Sequence, residues 1–219
     1  MRLHLKTTPN KSPVPFNYQQ KLVGTIHKWL GNNSIHGSIS LYSFSWLKGG
    51  RKEGDALRFA NGASMFISFF DDNYIRKIAR SILDDPEMFC GLVVTSITIE
   101  DSPMIDDREL FFCASPIFIK RNHTDGTINH YNFTDPQANQ FLKETLLSKM
   151  KIAGLEDDTL DIRFDTSYSK KKLKLVRYHG IGNKASICPI IIKGKPATKL
   201  FAWNVGVGNS TGIGFGAIY

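Results

Sequence analysis

The chain is 219 residues long, enough to bury a substantial core as one large domain or as two small ones packed together. Hydrophobic residues at 42% and charged residues at 22% exclude a disordered chain and place it among packed globular proteins. Lysine and arginine outnumber aspartate and glutamate 28 to 20, and the net charge of +8 favours polyanionic partners, with plain solubility as the alternative.

The first predicted element is a half-buried strand at residues 2–7, where Leu3 and Leu5 alternate with Arg2, His4 and Lys6. Pro13 and Pro15 break it before "YQQKLVGTIHKWLG", whose Leu22, Ile26 and Trp29 or Leu30 fall at helical spacing, with Gly31 as a C-cap. "SISLYSFSW" (38–46) alternates again, and "ALRFANGASMFISFF" holds Asn-Gly, the favoured signal for a tight hairpin turn. Asp71 or Asp72 caps a second helix with a stripe of Tyr74, Ile75, Ile78, Ile82 and Leu83, and residues 88–100 read as a long buried strand.

The same grammar then restarts. "LFFCASPIFIK" (110–120) reads as a strand, and "DPQANQFLKETLLSKMK" as a helix with Asp135 at the N-cap and Pro136 at N1. "TLDIRFD", "KKLKLVRYHG" and "ASICPIIIKG" are strand-like, Pro196 opens a last helix, and "IGFGAIY" is the expected closing strand. The element order predicts an α+β protein of tandem ferredoxin-like, RRM-like βαββαβ domains with antiparallel sheets, residues 1–108 and 109–219, plus one extra strand or hairpin arm.

Cys90, Cys113 and Cys188 are odd in number, far apart and set in apolar surroundings, so they are expected to be reduced core residues. The start "MRLHLKTTPNK" lacks an apolar signal region, and no run approaches about eighteen uninterrupted apolar residues. The expectation is a cytoplasmic protein with no membrane partner.

"GVGNSTGIGFG" near the C-terminus is neither a P-loop, since no Gly-Lys-Ser/Thr follows, nor a dinucleotide fingerprint, so no nucleotide cofactor is expected. A glycine loop between a helix and a strand lets bare N–H groups approach phosphates, or it is merely a tight connection. This stretch resembles the glycine-rich loop of the CRISPR repeat-cleaving endoribonucleases of the RAMP superfamily. "MRLHLK", "PVPFNYQQKLVGTIHKWL" and "ASPIFIK" agree with that family in the same order, so the resemblance covers most of the chain.

The resemblance implies a metal-independent endoribonuclease, without cofactor or metal, that cuts CRISPR precursor RNA within its repeats. Its partners would be CRISPR repeat RNA, subunits of a CRISPR effector complex and a second copy of the chain. A neutral imidazole can take a proton from a ribose 2′-hydroxyl, and an imidazolium can give one to a departing 5′-oxygen. In this family a catalytic histidine usually follows the first helix, where His36 stands, and some members place a tyrosine on that helix at the position of His27. His27 is therefore the candidate base and His36 the candidate acid, against a boundary helix histidine and an ordinary loop residue. Some relatives carry a charge-stabilising lysine shortly after the loop histidine; Ser40 stands there, with Lys48, Arg51 and Lys52 as possible substitutes.

The candidate RNA-binding residues are Lys28, Lys48, Arg51, Lys52, Lys172 and Lys174, with Gly206, Gly208, Asn209, Ser210, Gly212, Gly214 and Gly216 of the loop. In "KKLKLVRYHG" the alternation is expected to bury Leu173 and Leu175 and offer Lys172 and Lys174 to a phosphate backbone, a solvated strand face being the alternative. The paired acids Asp71-Asp72, Asp84-Asp85, Asp106-Asp107 and Asp157-Asp158 diverge or fall at caps and turns, and "NHTDGTINHY" is a poor zinc pattern, so no metal site is expected. The rival readings are an inactive RNA-binding subunit of the same superfamily and a general RNA-binding module, which should carry an RNP-type aromatic run that is absent here.

Overall fold

Alternation in "RLHLKT" does build the first strand, with Leu3 and Leu5 buried on the core side of a sheet. The computed structural model describes residues 1–31, 39–122 and 126–219. In chain order the first half comprises β1 (Arg2–Thr7), β2 (Val14–Pro15), α1 (Gln19–Leu30), β3 (Tyr42–Phe44), β4 (Arg51–Glu53), β5 (Ala56–Arg58), β6 (Ser64–Phe69), α2 (Asp72–Asp84) and β7 (Val94–Glu100). The second comprises β8 (Leu110–Phe111), β9 (Ile119–Asn122), β10 (Ile128–Tyr131), α3 (Ala138–Ile152), β11 (Asp161–Phe164), β12 (Lys172–Tyr178), β13 (Ile181–Ile187), β14 (Ile190–Lys193) and α4 (Pro196–Val205).

The principal sheet of the first half is antiparallel in the order β3-β6-β1-β7, the ferredoxin-like arrangement. Its core joins Leu3 and Leu5 to Leu22 and Ile26 of α1 and to Ile75 and Ile78 of α2. Gly31 ends α1 at φ 61°, its N–H donating to His27 O and Lys28 O. Asp71 caps α2 by accepting from Asn73 N–H, while Leu83 turns out to solvent.

The second sheet repeats the order as β11-β14-β8, and the chain end completes it. Phe112 and Tyr219 exchange backbone hydrogen bonds at 2.9 Å, and Cys113 bridges Ile218. Here α3 and α4 cover Phe111, Ile162, Ile190 and Ile192 with Leu142, Leu146, Phe201 and Ala202. The fold is thus α+β with two ferredoxin-like units, and Arg2 pins them together. Its guanidinium lies 3.7 Å from the Phe66 ring centroid and 3.4 Å from that of Trp203, and donates to Ser68 Oγ, Trp203 O and Ile218 O.

Several predicted boundaries move, each for a local reason. Asn61-Gly62 forms a tight turn, but β5 pairs with β2 and β4 whereas β6 pairs with β1 and β3, so the turn links two sheets and closes no hairpin. The strand expected over 38–46 is confined to β3 among the described residues. The strand expected over 88–100 begins only at Val94, because Cys90 and Gly91 adopt positive φ and fold Met88–Leu92 into a turn. The run 110–120 is broken around Pro116, which has no N–H for a ladder, and β9 leaves to pair with β10, a hairpin whose sequence signal, Asp125-Gly126, the element order did not use. Pro189 likewise divides β13 from β14.

The third helix starts later than expected, with Gln137 at the N-cap, because Asp135 is engaged by the backbone N–H and side-chain amide of Asn132. In the β12–β13 arm, turned by His179 and Gly180 with positive φ, Lys172 and Lys174 are exposed as expected but Leu173 and Leu175 are not buried. Val176 takes the buried position beside Phe118, Ala185 and Phe215, so the two-residue period sends Leu173 and Leu175 outward, 40% and 62% exposed. The three cysteines are free: Cys188 is buried, Cys113 half-buried, and Cys90 sits half-buried in its turn. Among the described residues no helix is long and apolar enough to cross a membrane.

Candidate functional site

A cleft of about 790 Å³ opens where the end of α1, the edge of β3, the strand β9, the last turns of α3 and the glycine loop meet. His27 reaches it from the last turn of α1, because Ile26 and Leu30 face the core and leave position 27 at the boundary. Tyr42, on β3, lies between helix and loop. Its hydroxyl donates to Gly212 O at 3.0 Å and stands 3.5 Å from His27 Nε2. Burial, with a smaller contribution from Tyr178, pushes the Tyr42 phenol up to about 12, so it stays a neutral donor.

The glycine loop is held from both sides. Asn209 donates its N–H to Phe118 O and accepts Lys120 N–H on its side-chain oxygen, which zips the loop to β9. Val207 N–H donates to Gly216 O, bringing the two ends of the loop together. Gly216 is required there, since its φ is +66° and a β-carbon would fall 1.9 Å from Val207 O. Gly212 is required by close approach, because a β-carbon would meet Ser40 Oγ and the Tyr42 hydroxyl. The backbone N–H groups of Ser210, Thr211 and Gly212 have no acceptor among the described residues, and these three residues line the cleft.

Cations surround the same space. Lys120 lines it from β9, and Arg121 beside it is fixed by hydrogen bonds to Phe141 O at 2.9 Å and Glu144 Oε2 at 3.0 Å. Lys149, buried in the last turn of α3, directs its amine to Val205 O, Gly206 O and Thr211 Oγ1. Burial pulls its pKa from 10.5 down to about 7.

The cleft therefore brings together His27, Gly208, Asn209, Ser210 and Gly212, together with Ser40. His36 lies outside the described residues. Gly206, Gly214 and Gly216 are buried supports of the loop and do not line the cleft. Lys28 points elsewhere, ion-paired to Asp85 at 2.7 Å and donating to Glu87 O. Lys48 sits 4.3 Å over the Tyr219 ring in a second cleft of about 500 Å³ on the sheet faces. Arg51 and Lys52 are exposed on β4 and line neither cleft. On the hairpin arm Lys172 is exposed, and Lys174 extends over the Trp46 ring at 5.1 Å.

Sequence reasoning missed Tyr42, Lys120, Arg121, Lys149 and Thr211. One signal was present: Lys149 lies three and seven residues after Leu146 and Leu142, on the helix face that packs into the core, where a lysine needs acceptors. Lys120 and Arg121 lie on the β9–β10 hairpin, which was not anticipated although Asp125-Gly126 is a hairpin signal in the sequence between its strands. Among the described residues no group of three or more His, Cys, Asp or Glu side chains is placed to hold a metal ion.

The comparisons agree with this architecture. By sequence the chain matches no curated protein. Superposed on a solved structure described as "CRISPR associated protein Cas6", it gives a TM-score of 0.84 at 19% identity, covering 100% of this chain and 98% of the other. A Cas6-related protein from Pyrococcus furiosus gives 0.84 at 21% identity, covering 100% and 97%. A structure described as "An RAMP protein binding different RNA substrates" gives 0.83 at 21% identity, covering 100% and 98%. Residues 99–219, more than half of the chain and the part that carries α3, α4 and the glycine loop, match the family model for the C-terminal region of CRISPR associated protein Cas6. The chain belongs to the Cas6 family of CRISPR-associated proteins.

Proposed function

We propose that this protein processes CRISPR precursor RNA as a metal-independent endoribonuclease cutting within the repeats. The observation that carries the reading is the convergence of the His27 imidazole, the neutral Tyr42 hydroxyl and the loop amides of Ser210–Gly212 on one basic cleft. On this reading, the half of the chain up to residue 108 supplies the imidazoles and the half from residue 109 supplies the loop.

In the proposed reaction His27 takes the proton of a ribose 2′-hydroxyl and the 2′-oxygen attacks the adjacent phosphorus. The bond to the 5′-oxygen breaks as His36 protonates the leaving group, giving a 2′,3′-cyclic phosphate and a 5′-hydroxyl. Loop amides and the Lys120 ammonium stabilise the charge that builds on the phosphate oxygens. The Tyr42 hydroxyl, fixed on Gly212, helps to hold the His27 ring in place.

The test is cleavage of an end-labelled repeat RNA in excess chelator, beside a copy with one 2′-deoxy sugar at the cut position. Cutting of the RNA alone, with both copies bound, supports the reading. Ser40 favours a second reading, an RNA-binding family member that does not cut. It lines the cleft beside Gly212, at the place where some relatives carry a charge-stabilising lysine. Binding of both copies without cleavage of either selects that reading.

A further inference from the structure

The Lys149 amine occupies a position that the proposed chemistry leaves unexplained. It is 3% exposed, on the core face of α3, and it reaches both ends of the loop segment 206–210. On one side are Val205 O at 3.4 Å and Gly206 O at 3.3 Å, carbonyls at the C-terminal end of α4, where the helix leaves unsatisfied acceptors and partial negative charge. On the other is Thr211 Oγ1 at 3.1 Å, in the short turn that follows. Three acceptors match the three donors of an ammonium.

We propose that Lys149 is a positioning residue for RNA binding: its protonated amine staples the end of α4 to Thr211, sets where the amides of Ser210–Gly212 stand in the cleft, and releases that loop on losing its proton. The proposal rests on the RNA-binding reading above. A neutral amine has two N–H donors and a lone pair, so one of the three hydrogen bonds must fail or reverse. Thr211 is the partner able to reverse. Its hydroxyl lies 3.5 Å from Ser40 O and can turn to donate to the amine, loosening the join between loop and cleft wall.

Burial alone depresses the amine, with no charged neighbour as a further cause, and its pKa of about 7 places the transition near neutrality. The titratable and charged groups facing the same cleft are His27 on α1, Tyr42 on β3, Lys120 and Arg121 on β9, and Glu144 on α3. His27 is a second titratable group in this cleft, so variants at position 149 must separate the two.

The experiment measures the affinity of the full-length protein for an uncleaved repeat RNA, carrying a 2′-deoxy sugar at the cut position, from about pH 6 to about pH 8.5 at constant salt. Wild-type affinity is expected to fall by about tenfold more than that of Lys149→Arg, which keeps its charge throughout. Lys149→Met is expected to bind about tenfold more weakly at low pH and to lack the step. Should that variant not fold, Thr211→Val, which removes one acceptor, is expected to show a smaller step.

Wild-type stability should move the other way. Between about 7 and 10.5 the unfolded chain holds a proton at this position that the folded chain has lost, so this group makes stability rise with pH across that window. Lys149→Arg should lack that contribution. A wild-type binding profile shared by Lys149→Arg and Thr211→Val overturns the staple while leaving RNA binding intact. Absence of repeat binding at every pH overturns the RNA reading itself, and the staple with it.

Discussion

The Tyr42 hydroxyl donates a 3.0 Å hydrogen bond to the Gly212 carbonyl, joining an edge strand of the first sheet to a loop 170 residues later. The bond is buried, and it fixes the phenol that stands beside His27. Tyr42→Phe keeps the ring stacked on Phe69 and removes the donor, so stability should fall by about 1 kcal/mol. Repeat-RNA affinity should fall by about fivefold as Gly212 loosens, measured by fluorescence anisotropy. Unchanged affinity would mean that loop position does not govern RNA binding.

His27 offers a test of chemistry separated from binding. Replacing it by alanine removes a proton acceptor from the cleft without touching the loop, whose hydrogen bonds run to Phe118, Lys149 and Tyr42. The single-turnover cleavage rate should drop by about a hundredfold or more, while affinity for the repeat changes by no more than about threefold. An equal loss of rate and affinity would make His27 a binding residue.

Arg2 is expected to be the most sensitive position outside the cleft. Its guanidinium is sandwiched between Phe66 and Trp203 and satisfies Trp203 O and Ile218 O, so truncation leaves buried carbonyls without a donor. Arg2→Ala should cost about 3 kcal/mol, a fall in Tm of about 6–12 °C by thermal denaturation. Arg2→Lys should recover only part, because an ammonium neither stacks as a plane nor donates as a fork. A Tm equal to wild type for both variants would show that the two units are held together elsewhere.

Helices and their order were legible because their signals are local. Gly31 as a C-cap, Asp71 as an N-cap and Pro196 at the first position of α4 each act within one turn of chain. Strand limits were less legible, since pairing depends on distant partners. Asn61-Gly62 carries a hairpin signal, yet Thr7 and Asn10 take up the N–H groups of Ala63 and Phe59 and send the two flanking strands to different sheets. Of the site, His27 and the loop were readable as residue types in a pattern. Tyr42 and Lys149 were not, because their roles exist only once β3, α3 and the loop have met.

The hairpin arm gives the last test, and its geometry sets the expectation. Lys174 extends over Trp46 on the side of the arm that carries buried Val176, while Lys172 shares that side and is exposed. If the arm tracks a phosphate backbone, Lys172→Ala with Lys174→Ala should lower the slope of log affinity against log salt by about 0.7 for each phosphate of single-stranded RNA left without its lysine. Leu175→Ser, on the opposite side and 62% exposed, should leave that slope unchanged. Because the slope reports how many phosphates are neutralised, whereas affinity at one salt concentration also reports packing against Trp46, the salt series separates the two roles of Lys174. A slope unaltered by the double substitution would assign the lysines to solvation of the arm and leave RNA binding to the cleft.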